Sequence, residues 1–143
     1  MALTILLVED NENDVLLVRR ALGRQTDVVV EIRVVRDGAE ALDYLYRREG
    51  YRPADLSPRP DLILLDINLP KVDGHEVLRT VKQDPELLTI PVVMLTTSRD
   101  EEDILESYRH SANGYITKAL NFSEFCVSLE VLVRYWGRIC CLP

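Results

Sequence analysis

The chain has 143 residues, room for one domain, and 47% of them are hydrophobic, enough for one ordinary core. Its net charge of −7 excludes a nucleic-acid-binding face and disfavours anionic membrane surfaces, while leaving room for a hard divalent cation or a basic partner. The opening MALTILLVED lacks a basic leader region, and no apolar stretch approaches the roughly 20 residues of a membrane-spanning helix, so a cytoplasmic protein is expected. Three cysteines, Cys126, Cys140 and Cys141, lack the CxxC spacing of a zinc site, and an odd number suits no closed disulfide framework.

Two kinds of segment alternate along the chain. Thr4–Val8 is a short apolar run, and Asn13–Arg24 follows with helical periodicity, Val15, Leu16, Val18, Arg19 and Leu22 forming one stripe. Val28–Val35 is β-branched, Asp37-Gly38 turns the chain, and Gly38–Glu49 reads as a helix. Arg47–Pro60, with Gly50, Pro53, Pro58 and Pro60, is longer than an ordinary connection and reads as a surface insertion. Leu62–Leu65 is a buried run that stops at Asp66, and Gly74–Gln83 is a helix ended by Asp84-Pro85. Pro91–Leu95 and Gly114–Thr117 complete the strands; Glu101–Ser111 and Phe122–Gly137 complete the helices. Five βα units with strands apolar on both faces predict a parallel sheet covered by helices on both sides.

Ligands of open α/β sheets bind beyond the carboxyl ends of the strands. The residues standing there are Glu9 and Asp10, Asp66, Thr96 and Lys118. Each alone has an ordinary explanation: an acid or a threonine capping a helix, a solvated lysine. Together the carboxylates would repel, and a bound Mg²⁺ removes that repulsion with few protein ligands. Asp66 is then a carboxylate nucleophile able to form an aspartyl phosphate, with Lys118 and the Thr96 hydroxyl paired to phosphoryl oxygens.

The pieces ILLVEDN, LILLDINLPKVDG, IPVVMLTTS and ANGYITK, in this order and spacing, resemble the receiver domain of two-component response regulators over nearly the whole chain. The resemblance implies a flavodoxin-like (βα)5 doubly wound sheet of strand order 2-1-3-4-5 over residues 1–143, with no output domain. It implies phosphorylation of Asp66 by a sensor histidine kinase. It assigns Mg²⁺ to Glu9, Asp10, Asp66 and the backbone carbonyl of Asn68. It also implies a switch through Thr96 and Tyr115 that changes the surface of the fourth helix, fifth strand and fifth helix, read by a downstream protein the sequence does not name. DINLPKVDGHEVL, LTTSRDEEDILESY, the insertion and the ending RYWGRICCLP resemble regulators paired with bacterial phytochrome kinases, which would make light the upstream signal.

Two rivals belong to other classes. A haloacid-dehalogenase-type hydrolase would want a second Asp two residues after the nucleophile, where Asn68 stands. A pseudo-receiver, or scaffold without the chemistry, would have lost Asp66, Lys118 or the acidic pair, and all are present. One position departs from the family pattern: Lys118 is followed by Ala119 and not by proline, and a cis bond there would cost about 2.5–4 kcal/mol, so a trans bond is expected. On the closing helix, Phe122, Phe125, Cys126, Leu129, Leu132, Val133 and Trp136 form a core-facing stripe. Val127, Val131, Tyr135, Ile139 and Leu142 form a second stripe, which predicts a homodimer through this helix and the C-terminal tail, with Tyr135 or Trp136 as anchor.

Overall fold

A computed structural model describes residues 2–118 and 121–143. Its elements alternate as the apolar pattern requires: β1 (Ala2–Val8), α1 (Glu12–Arg24), β2 (Val29–Val35), α2 (Gly38–Tyr46), β3 (Leu62–Leu65), α3 (Gly74–Gln83), β4 (Val92–Thr96), α4 (Glu101–Arg109), β5 (Gly114–Thr117) and α5 (Phe122–Arg134). The five strands are parallel in the order β2-β1-β3-β4-β5. This is the flavodoxin-like arrangement, with its switch point between β1 and β3.

The central strands are continuously apolar because both of their faces are covered. Ile5, Leu7, Leu62, Leu64, Val93 and Leu95 point to one core, where Val15, Val18, Ala21 and Leu22 of α1 meet Phe125, Leu129 and Val133 of α5. Leu6, Val8, Ile63, Leu65, Val92 and Met94 point to the other, against Ala41 and Leu45 of α2 and Val77, Leu78 and Val81 of α3. Burial of each such aliphatic side chain stabilises the fold by about 1.5–3 kcal/mol. Each of the five α-helices starts at an Asn or Asp whose side chain accepts a backbone N–H of the first turn: Asn11, Asp37, Asp73, Asp100 and Asn121. These caps begin every helix close behind the preceding strand and keep the intervening loops at one edge of the sheet.

Several expectations change in detail. In α1 the buried stripe is Val15, Val18, Ala21 and Leu22, whereas Leu16 is 54% exposed and Arg19 faces solvent. Residue 16 stands one position beyond the inward face, so the helical period turns it away. α2 ends at Tyr46 and not at Glu49, because Arg47 and Glu49 both take positive φ; a short 3₁₀ turn, Glu49–Tyr51, follows. The insertion is largely exposed, but Ser57 is buried in it, its hydroxyl donating to the Tyr51 carbonyl at 2.8 Å. The closing helix is regular only to Arg134 and continues as a π-helical turn, Tyr135–Ile139. That turn lays Gly137 against Val28 and folds the tail back, so Trp136 and Leu142 pack on the protein's own core. Leu142 therefore does not belong to the outer stripe. The Lys118–Ala119 bond lies outside the described residues.

α3 approaches β3 so closely that Gly74 has no room for a side chain: a Cβ there would stand 2.1 Å from the Asp66 carbonyl oxygen and 2.7 Å from the Ile67 Cα. The Gly74 N–H donates to the Ile67 carbonyl at 2.8 Å. Alanine is the better helix former by about 1 kcal/mol, but overpacking against backbone costs about 1–3 kcal/mol or more. Gly74→Ala is expected to lower the denaturant midpoint and to disturb the loop after β3; an unchanged or raised midpoint would contradict this close approach.

Candidate functional site

The site is assembled at the carboxyl edge of the sheet. β1 ends into Glu9 and Asp10, and the Glu9 N–H donates to the Val35 carbonyl of β2 at 3.0 Å, so the acidic pair is tied across two strands. β3 ends into Asp66, whose N–H donates to the Val8 carbonyl at 3.2 Å. The second of these bonds brings acids 57 positions apart in sequence to adjacent strand ends. One ligand oxygen from each of Glu9, Asp10 and Asp66 lies within 4.8 Å of the others. Glu9 and Asp66 are buried and Asp10 is exposed.

Lys118 follows β5 and is held there by its own N–H, which donates to the Thr96 carbonyl at 2.7 Å. Its Nζ donates to Glu9 Oε1, to Asp14 Oδ2 at 2.8 Å and to Asp66 Oδ2 at 3.3 Å. The other Asp66 oxygen, Oδ1, accepts the Ile67 N–H at 2.7 Å. Burial pushes the Glu9 carboxyl up to about 7, against the lowering effect of the Lys118 ammonium. Burial alone would depress Lys118, but its bonds to Asp14 and Glu9 outweigh that and hold its pKa above the usual lysine value. An ammonium among carboxylates of this burial stays charged.

Thr96 is fully buried at the last position of β4, and its Oγ1 accepts the Ser98 N–H at 3.3 Å. Tyr115 on β5 is partly buried, and its hydroxyl donates to the Ser98 carbonyl at 3.0 Å. Burial raises the Tyr115 phenol above its usual pKa. Asn68 lies exposed in the loop between β3 and α3, a loop in which Lys71 takes a left-handed conformation.

All the residues expected from sequence therefore stand around this edge, with Thr96 and Tyr115 joined through the loop after β4. Two parts of the site were missed. Asp14 reaches Lys118 from the first turn of α1, a contact across 104 positions that leaves no local mark in the sequence. Asp103 of α4 joins the Ser98 hydroxyl (2.7 Å) to His75 Nε2 of α3 (3.2 Å). The Ser98 bond, ahead of His75, holds the Asp103 carboxyl below its usual pKa. His75, Asp103 and Glu106 have ligand atoms close enough for a metal, but His75 Nδ1 is buried without a partner. A metal on Nε2 would put the ring proton on Nδ1 with no acceptor, so the geometry fits Nε2–H donating to Asp103.

What the main cluster offers is a hard, oxygen-only donor set beside a buried carboxylate and a fixed ammonium. Such donors fit a divalent cation, which takes oxygen ligands and would offset the repulsion among Glu9, Asp10 and Asp66.

Comparison with known proteins agrees with this geometry. Residues 5–130 match the family model described as the response regulator receiver domain, and the chain belongs to that family. It is a receiver-domain signalling protein of the two-component type. The response regulator Rcp1 of Synechocystis sp. is 43% identical over 139 residues, covering 97% of this chain and 92% of that protein. The phosphorylated cyanobacterial phytochrome response regulator RcpA is 45% identical, with a TM-score of 0.92 over 100% of this chain and 99% of that one. The Mn²⁺-bound form of Rcp1 superposes with a TM-score of 0.88 at 42% identity, covering 98% of each chain. Among the described residues, no helix is long and apolar enough to cross a membrane.

The raised Glu9 carboxyl has a consequence for stability in metal-free solution. Unfolded, Glu9 loses its proton near its ordinary value of 4.5; folded, it keeps it to about 7. The folded state binds more protons in between, so stability falls as pH rises through this interval and then levels. In Lys118→Met the cation that lowers Glu9 is gone, so the fall should extend above pH 7, and ionised Glu9 would cost about 3–5 kcal/mol. Urea midpoints measured with chelator through and above this interval check it; Glu9→Gln should remove the slope, and a flat profile in Lys118→Met would contradict the assignment.

Proposed function

We propose that Asp66 accepts a phosphoryl group from the phosphohistidine of a sensor histidine kinase. The carrying observation is its placement: a carboxylate only 8% exposed at the end of β3, with Lys118 Nζ at 3.3 Å and the Glu9–Asp10 pair beside it. An Asp66 oxygen attacks phosphorus, the new O–P bond forms as the P–N bond to histidine breaks, and the imidazole leaves with the electron pair. The Ile67 N–H fixes one Asp66 oxygen and so orients the carboxylate. Lys118 pairs with a phosphoryl oxygen, and the Thr96 hydroxyl turns from its bond with Ser98 to another. Glu9, Asp10, Asp66 and the Asn68 carbonyl would hold Mg²⁺, which supplies neutralisation of the phosphoryl charge when bound.

The switch follows from what Thr96 now touches. Thr96 Oγ1 and the Tyr115 hydroxyl both bond to Ser98, so a change at Thr96 reaches Tyr115 through two hydrogen bonds on one loop. The α4-β5-α5 surface then changes for a downstream protein. Residues 1–143 act as one receiver unit in the cytoplasm, and the kinase is a bacterial phytochrome. The phytochrome relation named for RcpA, together with the near-complete overlap of the two chains, supports that partner.

We also propose a two-fold homodimer through α5. Val127, Val131, Tyr135 and Ile139 recur every four residues and are 59%, 59%, 48% and 66% exposed, a line of apolar side chains on one face. Tyr135 is the anchor in this arrangement, since Trp136 is already packed on the core and edge-on to Tyr135 at 4.9 Å between ring centroids.

Incubation with acetyl phosphate and Mg²⁺ should add one phosphoryl group by mass spectrometry, lost in Asp66→Asn and on chelation. Modification that persists in either case would overturn the assignment. Asp10→Asn should weaken Mg²⁺ binding more than Glu9→Gln, because the Glu9 carboxylate is engaged by Lys118 and the Asn11 N–H while Asp10 is exposed. In sedimentation at micromolar concentration a dimer is expected, converted to monomer by Val131→Asp with Ile139→Asp; a wild-type monomer, or a dimer indifferent to both changes, would remove this interface.

A further inference from the structure

We propose that Asp14 is a positioning residue that holds Lys118 while Asp66 is free, and that it must release the lysine when a phosphoryl group arrives. The inference rests on the phosphoacceptor reading above and concerns how readily that site is filled. A lysine ammonium has three N–H donors. Here three carboxylates, Glu9, Asp14 and Asp66, lie around it. An arriving phosphoryl oxygen therefore finds no free N–H on Lys118, and one carboxylate must give way.

Burial decides which. The Lys118 side chain is 9% exposed, Glu9 2%, Asp66 10% and Asp14 26%. Releasing Glu9 would leave a polar group only 2% exposed without its partner in the interior, which is strongly unfavourable. Asp66 is the group being modified. Asp14 lies on the first turn of α1 with water within reach, so it loses the ammonium at the smallest cost. It is also absent from the set of three carboxylates whose oxygens lie within 4.8 Å of one another, so it acts on the lysine and not on the metal. An acid in the first turn of a helix is favoured by the helix dipole in any case. That preference explains the residue type, but not a 2.8 Å bond to a lysine 104 positions away.

The arrangement makes Asp14 a brake. While it occupies one donor of Lys118, a phosphoryl oxygen gains that donor only by displacing it.

Beryllofluoride affinity in saturating Mg²⁺, measured by calorimetry on the full chain, tests this. Asp14→Asn keeps the shape and removes the charge, and should bind about fivefold tighter, as expected for a partly exposed ion pair. Glu12→Gln removes the same charge from the same turn, where Glu12 is exposed and pairs with Arg36, and should change affinity by less than about twofold. In a Lys118→Met background, Asp14→Asn should have no further effect. Unchanged or weaker binding in Asp14→Asn overturns the proposal. So does equal tightening by Glu12→Gln, or a persistent gain in Lys118→Met, since either would show a general charge effect that does not pass through the lysine. If wild type itself fails to bind beryllofluoride, the phosphoacceptor reading falls and this inference falls with it; wild-type binding with no Asp14 effect removes this inference alone.

Discussion

The crowding of carboxylates around one buried ammonium is the constraint on which the rest of the site depends. Glu9, Asp14 and Asp66 come from three elements, and Lys118 from a fourth, so this one cation ties β1, α1, β3 and β5 together at the sheet edge. Like charges at such separations raise one another's pKa and would separate or take up protons if left alone. Here one ammonium faces three acids and a fourth, Asp10, stands beside them. The site therefore keeps an excess of negative charge, held in place before any ligand arrives, which is what a divalent cation requires.

The fold supplies the rigidity for that arrangement. Parallel strands covered on both faces need no polar residue until they end, so the first side chains free to be polar are those at the strand termini. Gly74 lets α3 begin against the backbone of Asp66 itself, and Asp37 and Asp73 cap the helices that flank the same edge. The Asp66 carboxylate is thus positioned by backbone contacts on both sides, and its orientation is set by the Ile67 N–H rather than by solvent.

From this edge a second set of hydrogen bonds leads outward. Ser98 receives Tyr115 on its carbonyl, gives its N–H to Thr96 and its hydroxyl to Asp103, and Asp103 meets His75 of α3. Three elements therefore converge on one loop residue, and a fourth joins them through Asp103, so a displacement of that loop cannot remain local. It must alter α4, β5 or the α3–α4 contact, and β5 is the edge strand of the sheet.

How much of this was legible depends on the range of the interaction. The alternation of apolar runs and helical stripes, the Gly and Pro turn signals and the acids at strand ends are local features. They sufficed for the five βα units and for Glu9, Asp10, Asp66, Thr96 and Lys118, because a residue next to a buried strand end has nowhere else to go. The strand order came from resemblance and not from periodicity, since pairing between distant strands leaves no local mark. The exposure of Leu16, the early end of α2, the π-helical turn that folds Leu142 onto the core, and the reach of Asp14 to Lys118 were decided only by tertiary structure. For the last two the deciding contact lies across the chain: Val28 against Gly137, and an α1 carboxylate against a lysine after β5. Sequence alone determined which residues would stand at the edge of the sheet; which of them touch was decided by the packing of helices over it.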